Sequence, residues 1–339
     1  MWFILVLMDT FLTKIEDITS KYLTKRKARK LYNKNKKKTV LSEIWSWIDA
    51  LLFAIFWVII INQYLFQLFV IPSPSMVSTL LVGDRVVVNK DAYGVELYPA
   101  GKKVATDARR VQRDNIITFY NPEYDSKGPF FDVLSQVIYM GTLTLVNIDK
   151  NPDGTPAERL YVKRAVGMGG DVVEFENGNV LITPAGTATK VDEASFRDAN
   201  ELSKGPGRLI EQNLYPSLKA AAAMTAYQEH GLNAPGYYSS KYSEIAGTKY
   251  DYKFDLYEFE RARLKTETDF DPSDMSLRSE YAHYDNGLYI PSDYVLPLGD
   301  NRDNSRDGRY FGPVKENRIN GQVVGRFWPL DRIGILTDK

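Results

Sequence analysis

The chain of 339 residues contains no cysteine and only two histidines, His230 and His283. Without cysteine there is no thiol nucleophile, no disulfide bond and no thiolate metal site. Neither histidine stands in a metal-ligand spacing such as HExxH, which disfavours metal-dependent hydrolysis and any catalytic set built around histidine. We therefore predict a protein that uses no metal and no other cofactor.

Net charge is also absent, because 43 basic residues balance 43 acidic ones. The distribution is uneven, since residues 21–38, KYLTKRKARKLYNKNKKK, carry ten Lys or Arg and no acid. Such a run is typical of a solvated tail. It has no nucleic-acid-binding motif or aromatic platform beside it, so we predict no nucleic-acid partner.

A long uncharged stretch follows the basic run. Residues 50–71, ALLFAIFWVIIINQYLFQLFVI, would form a helix about 33 Å long, enough to cross a hydrocarbon core of about 30 Å. A buried core helix is the alternative, but soluble helices are seldom apolar on every face. With Trp45 and Trp47 suited to an interfacial belt, we predict a transmembrane helix over residues 46–71.

The basic run lies on the N-terminal side of this helix, and an excess of Lys and Arg marks the cytoplasmic side. We expect residues 1–45 to be cytoplasmic. The chain after Ile71 should lie on the outer face of the cytoplasmic (inner) membrane, in a single-pass topology. The first eight residues, MWFILVLM, are too few to span and suggest an interfacial amphipathic helix.

Beyond the span, short segments rich in β-branched and aromatic residues predict strands. Examples are NIITFY (115–120) and DVVEFENGNVLIT (171–183), in which ENGN marks a hairpin turn. We predict a mainly β catalytic domain formed by residues 72–184 and 285–339. Residues 185–284 differ in texture and indicate an inserted, non-catalytic α/β cap region.

The segment VLSQVIYMGTLTLVNI (133–148) places 16 uncharged residues inside a polar region. It is compatible with a buried helix, an interfacial element or a second contact with the membrane. We favour the interfacial element.

Two serines follow the span in FVIPSPSM (69–76). Pro72 and Pro74 end the helix, and a stretched chain carries Ser75 only about 13 Å from Ile71. Any reaction at Ser75 would therefore occur at the membrane surface, although PSPS is also typical of a plain linker. A serine nucleophile needs a base, and histidine is almost absent.

Lys163, in YVKRAVGMGGD (161–171), is the candidate base. With the reference pKa near 10.4, lysine is neutral in about one molecule in 2,500 at pH 7, so it needs desolvation. In a strand, Tyr161, Lys163 and Ala165 share one face without another charge. The neighbouring Arg164 does not release its proton in proteins. The alternative is an ordinary solvent-facing lysine.

The loop LGDNRDNSRDGRYFGPV (298–314) is the third candidate stretch. It is rich in turn-forming Asp and Asn. Its spacing begins like an EF-hand, but Val314 stands where the bidentate Glu of that site belongs. Internal Asp–Arg pairs that fix the loop beside an active site fit better, with Ser305 close to the base.

These three stretches resemble, in the same order, the conserved boxes of bacterial type I signal peptidases, which are membrane-bound Ser/Lys proteases. The resemblance implies a signal-peptidase-like β-fold behind one N-terminal transmembrane helix. It makes Ser75 the nucleophile and Lys163 its general base.

The same resemblance implies supporting roles for other side chains. Ser73 would complete an oxyanion hole with the main-chain N–H of Ser75. Ser305 would orient the catalytic lysine, and Asp307 and Arg309 would pair to hold the loop. Three positions depart from the family pattern. Ser78 and Gly169 stand where the family has proline, and Gly308 stands where it has serine.

The function implied by the resemblance is removal of signal peptides from exported preproteins through an acyl-enzyme, with cleavage after small residues in an Ala-x-Ala pattern. The implied partners are preproteins and membrane lipids, with the protein a monomer near the secretion translocon. One alternative is a catalytically inactive, membrane-anchored binding or assembly factor, which the intact Ser75 and Lys163 disfavour. The other is a self-cleaving Ser/Lys regulator, which the membrane span disfavours.

Overall fold

The computed structural model describes residues 17, 19–28, 40–104, 110–142, 146–202, 210–248 and 255–336. The chain divides into two compact units, residues 1–57 and 58–339. The segment MWFILVLM, with its predicted interfacial helix, and residues 29–38 of the basic run lie outside the described residues.

The helices are α1 (Val40–Tyr64), α2 (Pro129–Gly141), α3 (Glu193–Ala199), α4 (Tyr215–Glu229), α5 (Gly236–Tyr242), α6 (Leu256–Phe270), α7 (Met275–Asp285) and α8 (Gly308–Phe311). Residues 19–28 are helical as well. The strands are β1 (Phe66–Val70), β2 (Arg85–Asn89), β3 (Val95–Glu96), β4 (Lys103–Val104), β5 (Ile116–Tyr120), β6 (Leu160–Gly167), β7 (Val172–Glu176), β8 (Asn179–Thr183), β9 (Val191–Asp192), β10 (Leu288–Tyr289), β11 (Tyr294–Leu298), β12 (Val314–Lys315), β13 (Ile319–Trp328) and β14 (Gly334–Ile335).

A curled, half-barrel sheet forms the centre of the larger unit. Its strands follow the order β1-β2-β13-β5-β6-β11-β12, with β14 added on β13, and the neighbours are antiparallel. The predicted hairpin at ENGN joins β7 and β8 in a second sheet of order β10-β7-β8-β9. Strand β6, which carries Lys163, lies inside the large sheet, between β5 and β11.

Apolar side chains pack on both faces of this large sheet, as the two-residue period of its strands requires. On β5, Ile116 belongs to one buried cluster, with Met76 and Val162. The next residue, Ile117, belongs to another cluster, with Ala165. Because both faces of β6 are covered, a lysine near its middle is removed from water.

The predicted transmembrane helix over 46–71 is wrong at both ends. Helix α1 spans 25 residues from Val40 to Tyr64, and residues 66–70 form β1, which pairs with β2 from Phe66↔Asn89 to Val70↔Arg85. An apolar strand that directly follows an apolar helix has the same composition as a longer helix. Among the described residues, α1 alone is long and apolar enough to cross a membrane.

The prediction of a mainly β fold is not confirmed, because helix exceeds strand among the described residues, 44% against 22%. The difference lies largely in residues 193–285, where helices α3 to α7 replace the expected α/β mixture. The central part of α4 is a run of four alanines, and alanine is the residue with the highest helix propensity. Asp255 and Asp274 cap the first turns of α6 and α7 through their carboxylates. The described residues thus combine a curled half-barrel sheet with a larger share of helix.

Candidate active site

Ser75 lies in a single turn of 3-10 helix, Pro74–Met76, that follows β1. Ile71 and Met76, 3% and 1% exposed, anchor the turn on both sides. Asn301 fixes it from across the site, since its main-chain N–H donates to the Ser75 carbonyl at 3.0 Å. Its side-chain amide donates to the Pro74 carbonyl at 3.1 Å. The turn that presents the serine is therefore held by packing and by the 298–314 loop.

Lys163 reaches Ser75 directly. The lysine Nζ lies 2.7 Å from the serine Oγ, and the two side chains come from positions 88 residues apart in the chain. Both residues are buried, with Lys163 4% and Ser75 8% exposed. A hydroxyl and an amine at this distance can exchange a proton in one step.

Burial is the main reason why the pKa of Lys163 falls from its ordinary value of 10.5 to about 8. The carboxylates of Asp307 and Glu158 raise this pKa, and the Arg309 guanidinium lowers it. Desolvation exceeds the attraction of the acids, so a substantial fraction of the lysine is neutral near pH 8. A neutral amine is what a general base requires.

Ser73 stands beside the nucleophile. Its Oγ is 3.2 Å from the Oγ of Ser75, and its side chain is partly buried. Ser73 is extended and immediately precedes the 3-10 turn that holds Ser75, and this brings the two hydroxyls together. Ser73 can therefore offer a donor next to a carbonyl that Ser75 attacks.

Asp307 and Arg309 form a buried, two-point ion pair. Arg309 donates from Nε to Oδ1 at 2.9 Å and from Nη2 to Oδ2 at 3.1 Å. Asp307 also accepts from the Gly299 N–H at 2.9 Å, and Arg309 donates to the Arg302 carbonyl at 2.6 Å. Burial alone would raise the pKa of Asp307, but the guanidinium holds it below its ordinary value. The pair therefore connects the second half of the 298–314 loop to its first half, through Gly299 and Arg302.

Ser305 lies close to the dyad without its predicted partner. Its buried Oγ makes no hydrogen bond to any residue that the structure describes, so the expected contact with Lys163 is not formed. The hydroxyl lies directly over Gly299, where an added Cβ would collide with it and would also come within 2.6 Å of the Ser75 carbonyl. Gly299 therefore allows the loop to approach both Ser305 and Ser75.

A cleft of about 230 Å³ opens over these groups. Its lining comes from two stretches, Phe69 with residues 71–76 and Glu158 with residues 160–163, and from Asn304 and Arg306. Ser73, Ser75 and Lys163 all contribute to its lining. An open cleft with a nucleophile and a base in its lining suits a peptide substrate.

Sequence reasoning missed a buried chain of ion pairs behind the site. Arg164, which is excluded as the general base, donates two hydrogen bonds to the Asp300 carboxylate, from Nε to Oδ1 at 2.8 Å and from Nη2 to Oδ2 at 2.7 Å. These bonds connect β6 to the 298–314 loop. The pairs continue through Asp114 to Arg197 and Glu193 of α3. The DNRD pattern signals charge pairing in the loop, but no local pattern identifies partners that lie so far away in the chain.

The three departures from the family pattern fit the local geometry. A Cβ at Gly308 would lie 2.7 Å from Leu296 Cδ1, and one at Gly169 would lie 2.5 Å from the Ser292 carbonyl. Ser78 has a φ of 93°, which the ring of proline forbids. At each of the three positions, the structure leaves no place for the usual residue.

Comparisons with known proteins identify the family of the chain. The family model described as signal peptidase, peptidase S26, matches residues 44–328. Signal peptidase I of Aquifex aeolicus is 25% identical over 271 residues, 78% of this chain and 77% of that protein. Signal peptidase I of Haemophilus influenzae is 26% identical over 293 residues, 86% and 72% respectively. Signal peptidase I of Helicobacter pylori J99 is 26% identical over 285 residues, 81% and 78%. The chain therefore belongs to the signal peptidase family, peptidase S26, and is a serine peptidase.

Proposed function

We propose that this protein is a membrane-anchored endopeptidase that removes N-terminal signal peptides from exported preproteins by means of a Ser75–Lys163 dyad. The observation that carries the proposal is the 2.7 Å contact between two buried groups, the Ser75 hydroxyl and the Lys163 amine, inside an open cleft. Family membership and the names of the relatives support the substrate class.

In the first half of the reaction, neutral Lys163 accepts the proton of Ser75 as Oγ attacks the scissile carbonyl. The negative charge that develops on the carbonyl oxygen is stabilised by the Ser73 hydroxyl and the main-chain N–H of Ser75. One such donor is worth about 3 kcal/mol in the transition state. Lys163, now an ammonium, returns its proton to the leaving amine, and the peptide's acyl group remains on Ser75 as an ester.

In the second half, Lys163 is neutral again and accepts a proton from a water molecule that attacks the ester. The tetrahedral intermediate collapses, Lys163 protonates the Ser75 oxygen, and the carboxylic acid leaves. The same base serves both halves, which is why its pKa near 8 is central to the mechanism.

The residues of the 298–314 loop are proposed to position the catalytic groups and to take no part in proton transfer. Ser305, whose Oγ is buried and unbonded within the described structure, is proposed to orient the lysine when substrate fills the cleft. The Asp307–Arg309 pair is proposed to keep that loop in place. Both roles follow the family resemblance.

The remaining parts of the proposal also rest on the resemblance and on the sequence. Cleavage follows small residues in an Ala-x-Ala pattern. The catalytic part, residues 72–184 and 285–339, lies on the outer face of the cytoplasmic membrane, and residues 185–284 form a non-catalytic insertion. The protein acts as a monomer near the secretion translocon.

The test is incubation of the detergent-solubilised full chain with one secretory precursor, followed by mapping of the new N-terminus. We expect one cut after the signal peptide, with loss of at least three orders of magnitude in rate for Ser75→Ala and for Lys163→Ala. Matched controls are Ser273→Ala and Lys265→Ala, which change exposed residues and should leave the rate unchanged. Retained processing in Ser75→Ala would refute the dyad.

A further inference from the structure

Helix α2 turns its apolar face outward. Phe130, Val133, Leu134 and Val137 follow the i, i+3, i+4, i+7 spacing of a single helix face. They are 82%, 38%, 39% and 42% exposed. The helix contains one charged residue, Asp132, and this lies on the opposite side. The outer surface of α2 is therefore an uncharged apolar stripe.

The polar face of α2 points into the protein and is held there. Asp132 and Ser135 are 5% and 4% exposed. Arg159, next to β6, binds both, with Nη2 at 2.7 Å from the Ser135 Oγ and at 3.2 Å from Asp132 Oδ1. A helix on a water-exposed surface normally buries its apolar side. The arginine fixes the reverse arrangement, so the stripe cannot roll inward without losing a buried ion pair.

The flank of α2 contacts the last turn of the membrane-spanning helix. The Gln136 side chain donates to Gln63 Oε1 at 3.3 Å. Gln63 in turn donates to the Glu96 carbonyl at 3.1 Å, and the neighbouring Tyr64 hydroxyl donates to the Leu97 carbonyl at 3.1 Å. All these residues belong to the unit 58–339. The C-terminal part of the stripe therefore lies beside the end of α1.

We propose that α2 lies along the membrane surface, with its stripe of Phe130, Val133, Leu134 and Val137 inserted into the lipid at the boundary between headgroups and acyl chains. Amphipathic helices bound in this way bury their apolar face about 5–10 Å deep. A lipid bilayer is the occupant that the structure favours, because the stripe is uncharged and adjoins the end of the spanning helix. The proposal goes beyond the peptidase activity and holds equally for an inactive variant.

The absence of native cysteine permits a site-specific test in the full chain. Phe130→Cys and Val137→Cys, each labelled with an environment-sensitive fluorophore, are reconstituted into phosphatidylcholine–phosphatidylglycerol vesicles in a Ser75→Ala background. Leu232→Cys is the matched control, because Leu232 is also an exposed apolar residue, 48% exposed, in the helical region after α4. Nitroxide lipids and aqueous iodide then quench each label from opposite sides.

We expect nitroxide lipids to quench the labels at 130 and 137. Iodide should quench these two labels at least about fivefold less than the label at 232. Adding Val133→Asp should return the label at 137 to water, whereas Leu232→Asp should not. Equal iodide quenching at 130, 137 and 232 overturns the proposal. A stripe that is covered by a protein partner instead of lipid gives this same result, because the vesicles contain no such partner. Because the background lacks Ser75, neither result depends on peptidase activity.

Discussion

Replacement of Lys163 by methionine removes a buried charge and keeps a flexible side chain of similar length. The lysine has a pKa of about 8 in the folded protein, against 10.5 for an exposed lysine. Between these values the unfolded chain holds the proton and the folded chain does not, so the stability of the native protein rises with pH through this window. Below pH 8 the lysine is charged in both states, and its burial destabilises the fold fully.

The size of the effect follows from this shift. At pH 7 the buried ammonium costs about 3 kcal/mol, and at pH 10 the remaining cost is about 1 kcal/mol. Methionine loses the hydrogen bond to Ser75, which subtracts about 1 kcal/mol at either pH. Lys163→Met should therefore be more stable than the parent by about 2 kcal/mol at pH 7 and equal to it at pH 10.

Denaturant unfolding in detergent, at pH 7 and pH 10, measures both differences in the free energy of unfolding. Lys265→Met serves as the control, because Lys265 is exposed and should show no difference at either pH. The variant should also be inactive, so that stability is gained where function is lost. If Lys163→Met were less stable than the parent at pH 7, or if the difference did not change with pH, the account of a desolvated lysine would be refuted.

Three further predictions concern the same site. The cleavage rate at low substrate should rise about fivefold from pH 7 to pH 8 and level off above pH 9, because neutral Lys163 is the active form; a rate that still rises tenfold per pH unit at pH 10 would exclude the shifted base. Gly299→Ala should lower the cleavage rate by about a hundredfold or more, because the added Cβ would displace the Ser305 hydroxyl and the Ser75 carbonyl. Gly236→Ala is the control and should process precursor normally, because no atom lies within 4 Å of its Cβ. Asp307→Asn should lower the free energy of unfolding by about 3–5 kcal/mol, because the buried Arg309 guanidinium loses its two-point carboxylate partner and keeps only the longer pair with Asp255. Glu123→Gln, at an exposed pair, should change it by less than about 1 kcal/mol in the same unfolding assay.

The local patterns of the sequence identified the residues that meet in the cleft, because the relevant physics is local. Alternation along β6 sets which residues share a face with Lys163, and the prolines around Ser73 and Ser75 prevent the α-helix from continuing through the two serines. The roles assigned to these residues remain predictions until activity is measured.

The end of α1 could not be predicted, because composition does not distinguish an apolar helix from an apolar strand that follows it. Residues 66–70 form a strand because β2 offers them a partner, and β2 lies 15 or more residues further on. The same limit applies to the ion-pair chain that links Arg164 to Glu193. Such long-range partners exist only once the chain has folded.

The segment 133–148 illustrates a third limit. Its lack of charge predicted an apolar element but left open which side faces the protein. The structure forms α2 over the first part of this segment, as far as Gly141, and Arg159 decides the orientation of the helix by binding Asp132 and Ser135. Periodicity alone favours the opposite orientation, with the apolar face buried.

Chemical rescue at position 163 asks whether the amine of Lys163 activates Ser75. Lys163→Cys introduces the only thiol of the chain, and alkylation with 2-bromoethylamine converts it into a lysine analogue with an amine at nearly the same reach. The dyad account predicts that Lys163→Cys is inactive, that alkylation restores cleavage of the precursor at the same bond, and that the same treatment of a Ser75→Ala, Lys163→Cys double variant restores nothing. Cleavage by the unalkylated variant, or failure of the alkylated and correctly folded protein to recover, would contradict the claim that the amine of Lys163 activates Ser75.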